Sequence, residues 1–167
     1  PDPLPVVDLP EFEYIEIFNH SPYNIDLSGW TVQTGRAEKS FPAYQLHSKQ
    51  RLILCHEDAI PLFSQYGDCI GIFTSLSSLL NTRDTIAIHD QYKNLIDSVS
   101  YSDEWHNADK QDGGWSLELT NDERRCMNEA NWNSSIHPLG GTPGTLNSVH
   151  MNEPDVHAPF IEKSNFR

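Results

Sequence analysis

Thr85-Ile86-Ala87-Ile88-His89, followed by Asp90-Gln91-Tyr92-Lys93 and then Asn94-Leu95-Ile96-Asp97-Ser98-Val99-Ser100-Tyr101, reads as a β-hairpin. Two runs rich in β-branched residues flank a short polar connection. Asn94 is expected to take the positive φ angle at the end of that connection, because Asn tolerates the left-handed region better than most residues. Working outward, Phe12-Glu13-Tyr14-Ile15-Glu16-Ile17-Phe18 alternates, with Ile15 and Ile17 on one face and Tyr14, Glu16 and Phe18 on the other. That is the period of a half-buried strand. Leu27 to Val32 resumes extended structure after a turn-rich stretch, and Arg51-Leu52-Ile53-Leu54-Cys55 is a short, mostly apolar strand. Trp115-Ser116-Leu117-Glu118-Leu119 follows Gly113-Gly114 as a further strand. Between Asp58 and Tyr66 the pattern becomes helical: Asp58 can cap, Pro61 suits a first turn and Gly67 can stop the helix. Short strands with turn signals between them, and no βα alternation, predict an all-β antiparallel sandwich or barrel with one short helix inserted around residues 58–66.

The chain has 167 residues, enough for one domain plus tails. Eleven Lys and Arg stand against twenty-four Asp and Glu, a net charge of −13, so nucleic acid and anionic membrane surfaces would repel its average face. The basic residues Lys39, Lys49, Arg51, Arg124 and Arg125 are scattered and make no stripe. A hydrophobic content of 37% argues against a membrane-inserted chain, while four Trp, six Tyr and seven Phe argue against disorder. On the strand map the acids fall mainly near the start and in the 103–112 loop, as a solubilising exterior. The sequence opens at Pro1 with no initiator Met or apolar leader, and reads as a piece of a longer chain.

Catalytic signatures are hard to find. The eight histidines include no HExxH, HxH or HxxxH spacing, and the nearest approach to a metal-ligand pair is His106 with Asp109. There is no GxSxG elbow around Ser28, no Walker or dinucleotide fingerprint, and no cysteine with a local catalytic signature. Cys55, Cys69 and Cys126 are too far apart in sequence for CxxC chemistry, which leaves buried thiols or one disulfide plus an odd thiol. Asp103, Glu104, Asp109 and Asp112 share a loop with Trp105 and Trp115. Such a loop is either solvated, with the tryptophans closing the sandwich edge, or a site for Ca2+ or a sugar, although it lacks DxDxDG spacing. Tyr92, Tyr101, Asp103, Trp105, Asp109 and Asp112 are the candidate binding residues. No catalytic residue, metal ligand or cofactor is assigned, apart from Ca2+ as an open alternative.

In order along the chain, Tyr14-Ile15-Glu16-Ile17-Phe18-Asn19, Asp26-Leu27-Ser28-Gly29-Trp30-Thr31-Val32, Phe41-Pro42 and Leu52-Ile53-Leu54-Cys55 form a recognisable series. It continues with Asp84-Thr85-Ile86, Ile96 to Tyr101, Gly114-Trp115-Ser116-Leu117-Glu118-Leu119 and Asn131-Trp132, and closes on Gly140-Gly141-Thr142-Pro143-Gly144 with Asn147-Ser148. The series, from about residue 11 to 149, resembles a lamin tail domain. It is most similar to secreted or surface-anchored bacterial members, especially those of Bacteroidetes.

The resemblance implies an immunoglobulin-like β-sandwich in which Trp30 plugs the core and Ile15, Ile17, Ile53, Ile86, Ile88, Ile96 and Val99 supply the inner faces. It places the domain at residues 1–149, with 150–167 as a linker in which Asp155-Val156-His157-Ala158-Pro159-Phe160-Ile161 resembles the lead-in to another immunoglobulin-like domain. Relative to the family, Gly gives way to Asn94 in the hairpin turn, and no apolar strand precedes Pro1. The second departure predicts an open strand edge that pairs with another chain or is covered by residues 149–167. Cys69 lies outside the family pattern, and the resemblance favours a Cys55–Cys126 bridge.

The function implied is a non-catalytic binding or architectural module of a secreted or cell-surface protein, with a protein or glycan ligand, no nucleic-acid partner, no membrane insertion and scope for edge-strand self-association. The alternative is a carbohydrate-binding module that uses loop aromatics. More remote is an accessory domain of a metal-dependent hydrolase or nuclease.

Overall fold

The computed structural model describes residues 7–76, 78–122 and 128–151. In chain order the first strands are β1 (Tyr14–Phe18), β2 (Ile25–Asp26), β3 (Thr31–Gln33), β4 (Glu38–Ser40), β5 (Gln45–Leu46) and β6 (Arg51–His56). A 3-10 turn over Glu57–Ala59 and the short helix α1 (Ile60–Phe63) lead to β7 (Cys69–Phe73). The hairpin β8 (Arg83–His89) and β9 (Leu95–Ser102) comes next, and β10 (Leu117–Leu119) and β11 (Trp132–Ser134) complete the set. A three-stranded sheet, ordered β1-β6-β7, faces a four-stranded sheet, ordered β4-β3-β8-β9, while β2-β5 and β10-β11 form two small pairs. The architecture is the expected all-β, immunoglobulin-like sandwich with one short helix.

One strand pair departs from the antiparallel expectation. β6 and β7 run parallel, with Ile53 opposite Cys69 and Cys55 opposite Gly71. Parallel neighbours cannot be joined by a tight turn and need a crossover of about a dozen residues, which explains why a helix sits here. The crossover covers the outer face of β6, so that strand is buried on both sides. Leu52 and Leu54 face the main core of Leu27, Val32, Phe41, Leu46, Ile72 and Phe73, whereas Ile53 and Cys55 face Ala59 and Phe63 under the helix. The inner-face assignment of Ile53 is thereby corrected to the helix side. The cap also differs from expectation: His56, through Nδ1, accepts from the Asp58 N–H at 3.1 Å, and α1 ends at Phe63, before Gly67. Gly71 permits the close packing, since a Cβ there would lie 2.7 Å from the Glu57 Cα.

The hairpin pairs Ile86 with Val99 and Asp84 with Tyr101. Its left-handed residue is Lys93, at φ 65°, rather than Asn94. Asn94 instead holds the turn together: its backbone N–H donates to Asp90 Oδ1 at 2.9 Å and its side-chain amide to Oδ2 at 2.8 Å. The register shifts between Ile88 and His89, so Ile88 faces Asp97 and His89 faces Leu95. Ile96 is the extra residue of this bulge and is 51% exposed, which removes it from the expected inner face. Trp30 is half-buried against the main core rather than a fully enclosed plug, and Ile15, Ile17, Ile86 and Ile88 pack against that core while partly exposed.

The two kinds of site should respond differently to truncation. Leu54→Ala is expected to lower the unfolding free energy by about 2–5 kcal/mol, and Ile96→Ser by less than about 0.5 kcal/mol. Equilibrium denaturation in urea measures both.

Candidate functional site

A cleft of about 1340 Å3 opens where the two main sheets meet β10. β1 and β9 are the terminal strands of their sheets, and both line it, as do Ile86 and Ile88 on its floor. The half-buried Ile15, Ile17 and Val99 add apolar surface, and Glu13, Glu16, Asp97 and Asp103 bring carboxylates. Along β9 the Ser98 backbone N–H donates to its neighbour Asp97 Oδ1 at 2.9 Å instead of to another strand. The site therefore combines apolar side chains, acidic groups and strand edges, which suits an extended polypeptide better than a compact solute.

The candidate binding residues divide by position. Tyr101, Asp103, Trp105 and Asp112 line the cleft together with Trp115, whereas Tyr92 and Asp109 do not. Tyr92 stands 77% exposed in the β8–β9 turn. The Tyr101 hydroxyl donates to the Leu80 carbonyl at 2.6 Å, and burial raises its pKa. Lys110 lays its Nζ over the Trp115 ring, 4.1 Å from the centroid, and donates to the Ser135 carbonyl, so one face of that indole is covered. Trp105 sits in a 3-10 turn over Asp103–Trp105, capped by Ser102 Oγ accepting from the Glu104 N–H at 3.2 Å. His106 is held through Nδ1 to Ser134 Oγ at 3.0 Å, and burial lowers its pKa. Among the described residues no group of three His, Cys, Asp or Glu side chains is placed to hold a metal ion. Cys55 and Cys69 are free thiols, and Cys126 lies outside the described residues, as does the 155–161 segment.

Sequence alternation missed the acids that organise the cleft wall. Glu118 is 4% exposed, contrary to an exterior placement of the acids, and Asp84 is buried as well. Glu118 accepts from the Ser148 N–H and hydroxyl, each at 2.7 Å, and from the Thr142 hydroxyl at 2.7 Å. Glu16 accepts from the Gly144 N–H at 2.6 Å and from Arg51 Nη1 at 2.8 Å, while burial pushes its pKa up. Arg51 also stacks over Phe18, 4.6 Å from the ring centroid. Nothing in the alternation of Ser116-Leu117-Glu118-Leu119 signals that the Glu is the deeply buried member. The donors that satisfy it come from the closing turn, more than twenty residues away.

The lamin tail domain family model matches residues 1–103, well over half of the chain. The chain belongs to the lamin tail domain family. Lamin tail domains are immunoglobulin-like and non-enzymatic, in keeping with the sandwich described above. The match ends at Asp103, just after β9, so β10, β11 and the closing turn lie beyond it. No curated protein matches the chain. Among the described residues no helix is long and apolar enough to cross a membrane.

Two measurements check these assignments. Glu118→Ala strands the donors of Ser148 and Thr142 and is expected to cost about 2–4 kcal/mol in urea unfolding. His106, whose folded-state pKa lies below its ordinary 6.5, favours the neutral ring. Its contribution is present above pH 6.5 and is lost as pH falls through the lowered value. The stability difference between wild type and His106→Asn should therefore shrink on acidification from pH 7.5 to 5. A constant difference across that range would contradict the assignment.

Proposed function

We propose that this lamin tail domain is a non-catalytic protein-interaction module whose cleft between β1 and β9 receives an extended polypeptide segment with apolar residues on one face and basic residues on the other. The observation that carries this reading is the pair of terminal strands flanking an apolar floor. A strand laid beside β9 would satisfy its outward N–H and C=O groups and cover Ile86, Ile88 and Val99, which is the physical basis of β-strand addition. Carboxylates of Glu13, Asp97 and Asp103 along the cleft, on a chain of net charge −13, favour a basic segment. The same charge works against a second copy of this chain as the occupant. We also infer an exported bacterial setting, secreted or on the cell surface, which rests on the resemblance of the strand motifs to exported members of the family.

Binding of extended ten-residue peptides, alternating apolar with Lys/Arg, Ser or Asp/Glu, tests the reading by fluorescence anisotropy. The basic series should bind and weaken as salt is raised, and the acidic series should not bind. Ser98→Pro removes a backbone donor that does not serve the β8 pairing. It should lower peptide affinity about tenfold or more, a loss of about 1.4 kcal/mol, with the thermal midpoint little changed. Equal binding of acidic and basic peptides would overturn the proposal, as would a glycan array positive in the absence of any peptide binding.

A further inference from the structure

We propose that Cys55 and Cys69 are an oxidisable dithiol that closes to an intradomain disulfide by exchange with a low-molecular-weight disulfide. The pairing follows from the one parallel strand pair. With Ile53 opposite Cys69 and Cys55 opposite Gly71, the two cysteines lie diagonally across β6 and β7 on the same face of the sheet. The residue directly opposite Cys55 is Gly71, which brings no side chain of its own to that face. Cys69 packs against the buried cluster of Ile53, Cys55, Ala59 and Phe63. Each thiol donates only to a backbone carbonyl, Cys55 Sγ to Ile70 O at 3.8 Å and Cys69 Sγ to Ile60 O at 3.6 Å, so neither is committed to another side chain.

Exposure sets the order of events. Cys55 is buried under the crossover, whereas Cys69 is partly exposed on β7, the terminal strand of its sheet. The Cys69 thiolate attacks one sulfur of the small disulfide, forming a mixed disulfide and expelling the first small thiolate. The Cys55 thiolate then attacks the Cys69 sulfur and expels the second. Two cysteine thiols are oxidised, one small disulfide is reduced to two small thiols, and the two cysteine protons end on those products. Burial raises the pKa of both cysteines, that of Cys55 to about 11, so exchange should accelerate as pH rises above neutral. The closed bond would span the whole crossover, a loop of about 15 residues, and lock the helix onto β6 and β7. Nothing in this step depends on what occupies the cleft.

The test uses the full chain carrying Cys126→Ser, incubated with oxidised glutathione at pH 8 and then alkylated. Glu57, Asp58 and Asp68 lie between the two cysteines, so an acid-residue-specific protease leaves their peptides joined only through the disulfide. The expected result is a linked peptide pair, no alkylation of either thiol, and a thermal midpoint higher by roughly 5–10 °C than in the reduced chain. Adding Cys69→Ser should abolish both the link and the shift. The proposal is overturned if both thiols remain alkylatable or if oxidation stops at a glutathione adduct on Cys69. It is equally overturned if the wild-type chain, treated in parallel, links Cys55 to Cys126.

Discussion

The buried carboxylate of Glu118 is the constraint on which the second half of the molecule depends. A carboxylate this deep, without donors, would cost several kcal/mol, roughly the whole margin of a small domain. It is compensated by the Ser148 N–H and hydroxyl and by the Thr142 hydroxyl, all supplied by the chain after β11. The Gly140–Gly144 turn must therefore close onto β10. In closing, it delivers the Gly144 N–H to Glu16, which is also bonded to Arg51. One polar path thus runs from β6 through β1 and the turn to β10, and it joins the small β10–β11 pair to the three-stranded sheet. Gly144, at φ +76°, is required at that point, because a Cβ would collide with the Tyr66 carbonyl oxygen.

This attachment has a consequence for the surface. The closing turn, which holds β10 through Glu118, is bonded to Glu16 of β1, while β9, the terminal strand of the opposite sheet, lines the cleft. Ile15, Ile17, Ile86 and Ile88 line that cleft, which explains why they are only half-buried although they belong to the core by position. The apolar floor and the acidic wall arise from the same arrangement.

Much of the sandwich was readable in the chain. The alternation of Tyr14–Phe18 carries the period of a half-buried strand, the β8–β9 hairpin its β-branched runs around a polar turn, and the apolar run of β6 its short length, while the helix after β6 carries the changed spacing of Ile60 and Phe63. What escaped was the consequence of pairing. Ile53 and Leu54 are chemically alike, and only the parallel crossover shows that β6 is covered on both faces. Asn94 is the better left-handed residue by intrinsic preference, yet Asp90 uses its amide and leaves Lys93 to take the strain. Of the candidate binding residues, Tyr101, Asp103, Trp105 and Asp112, at the end of β9 and in the following loop, came together in the cleft, while Asp109 of the same loop did not. Tyr92 was carried to the far end of the hairpin by the strand length itself.

The sequence by itself determined the class of fold, the placement of the principal strands and the helix, and the family, because these follow from short-range hydrophobic period and from the order of local motifs. Tertiary structure alone decided which acids are buried, which isoleucine the bulge turns out to solvent, that Cys55 neighbours Cys69, and where the cleft lies. Each of these depends on contacts between residues distant in the chain, and strand register sets those contacts: a shift of one residue exchanges inside for outside while leaving the local pattern unchanged.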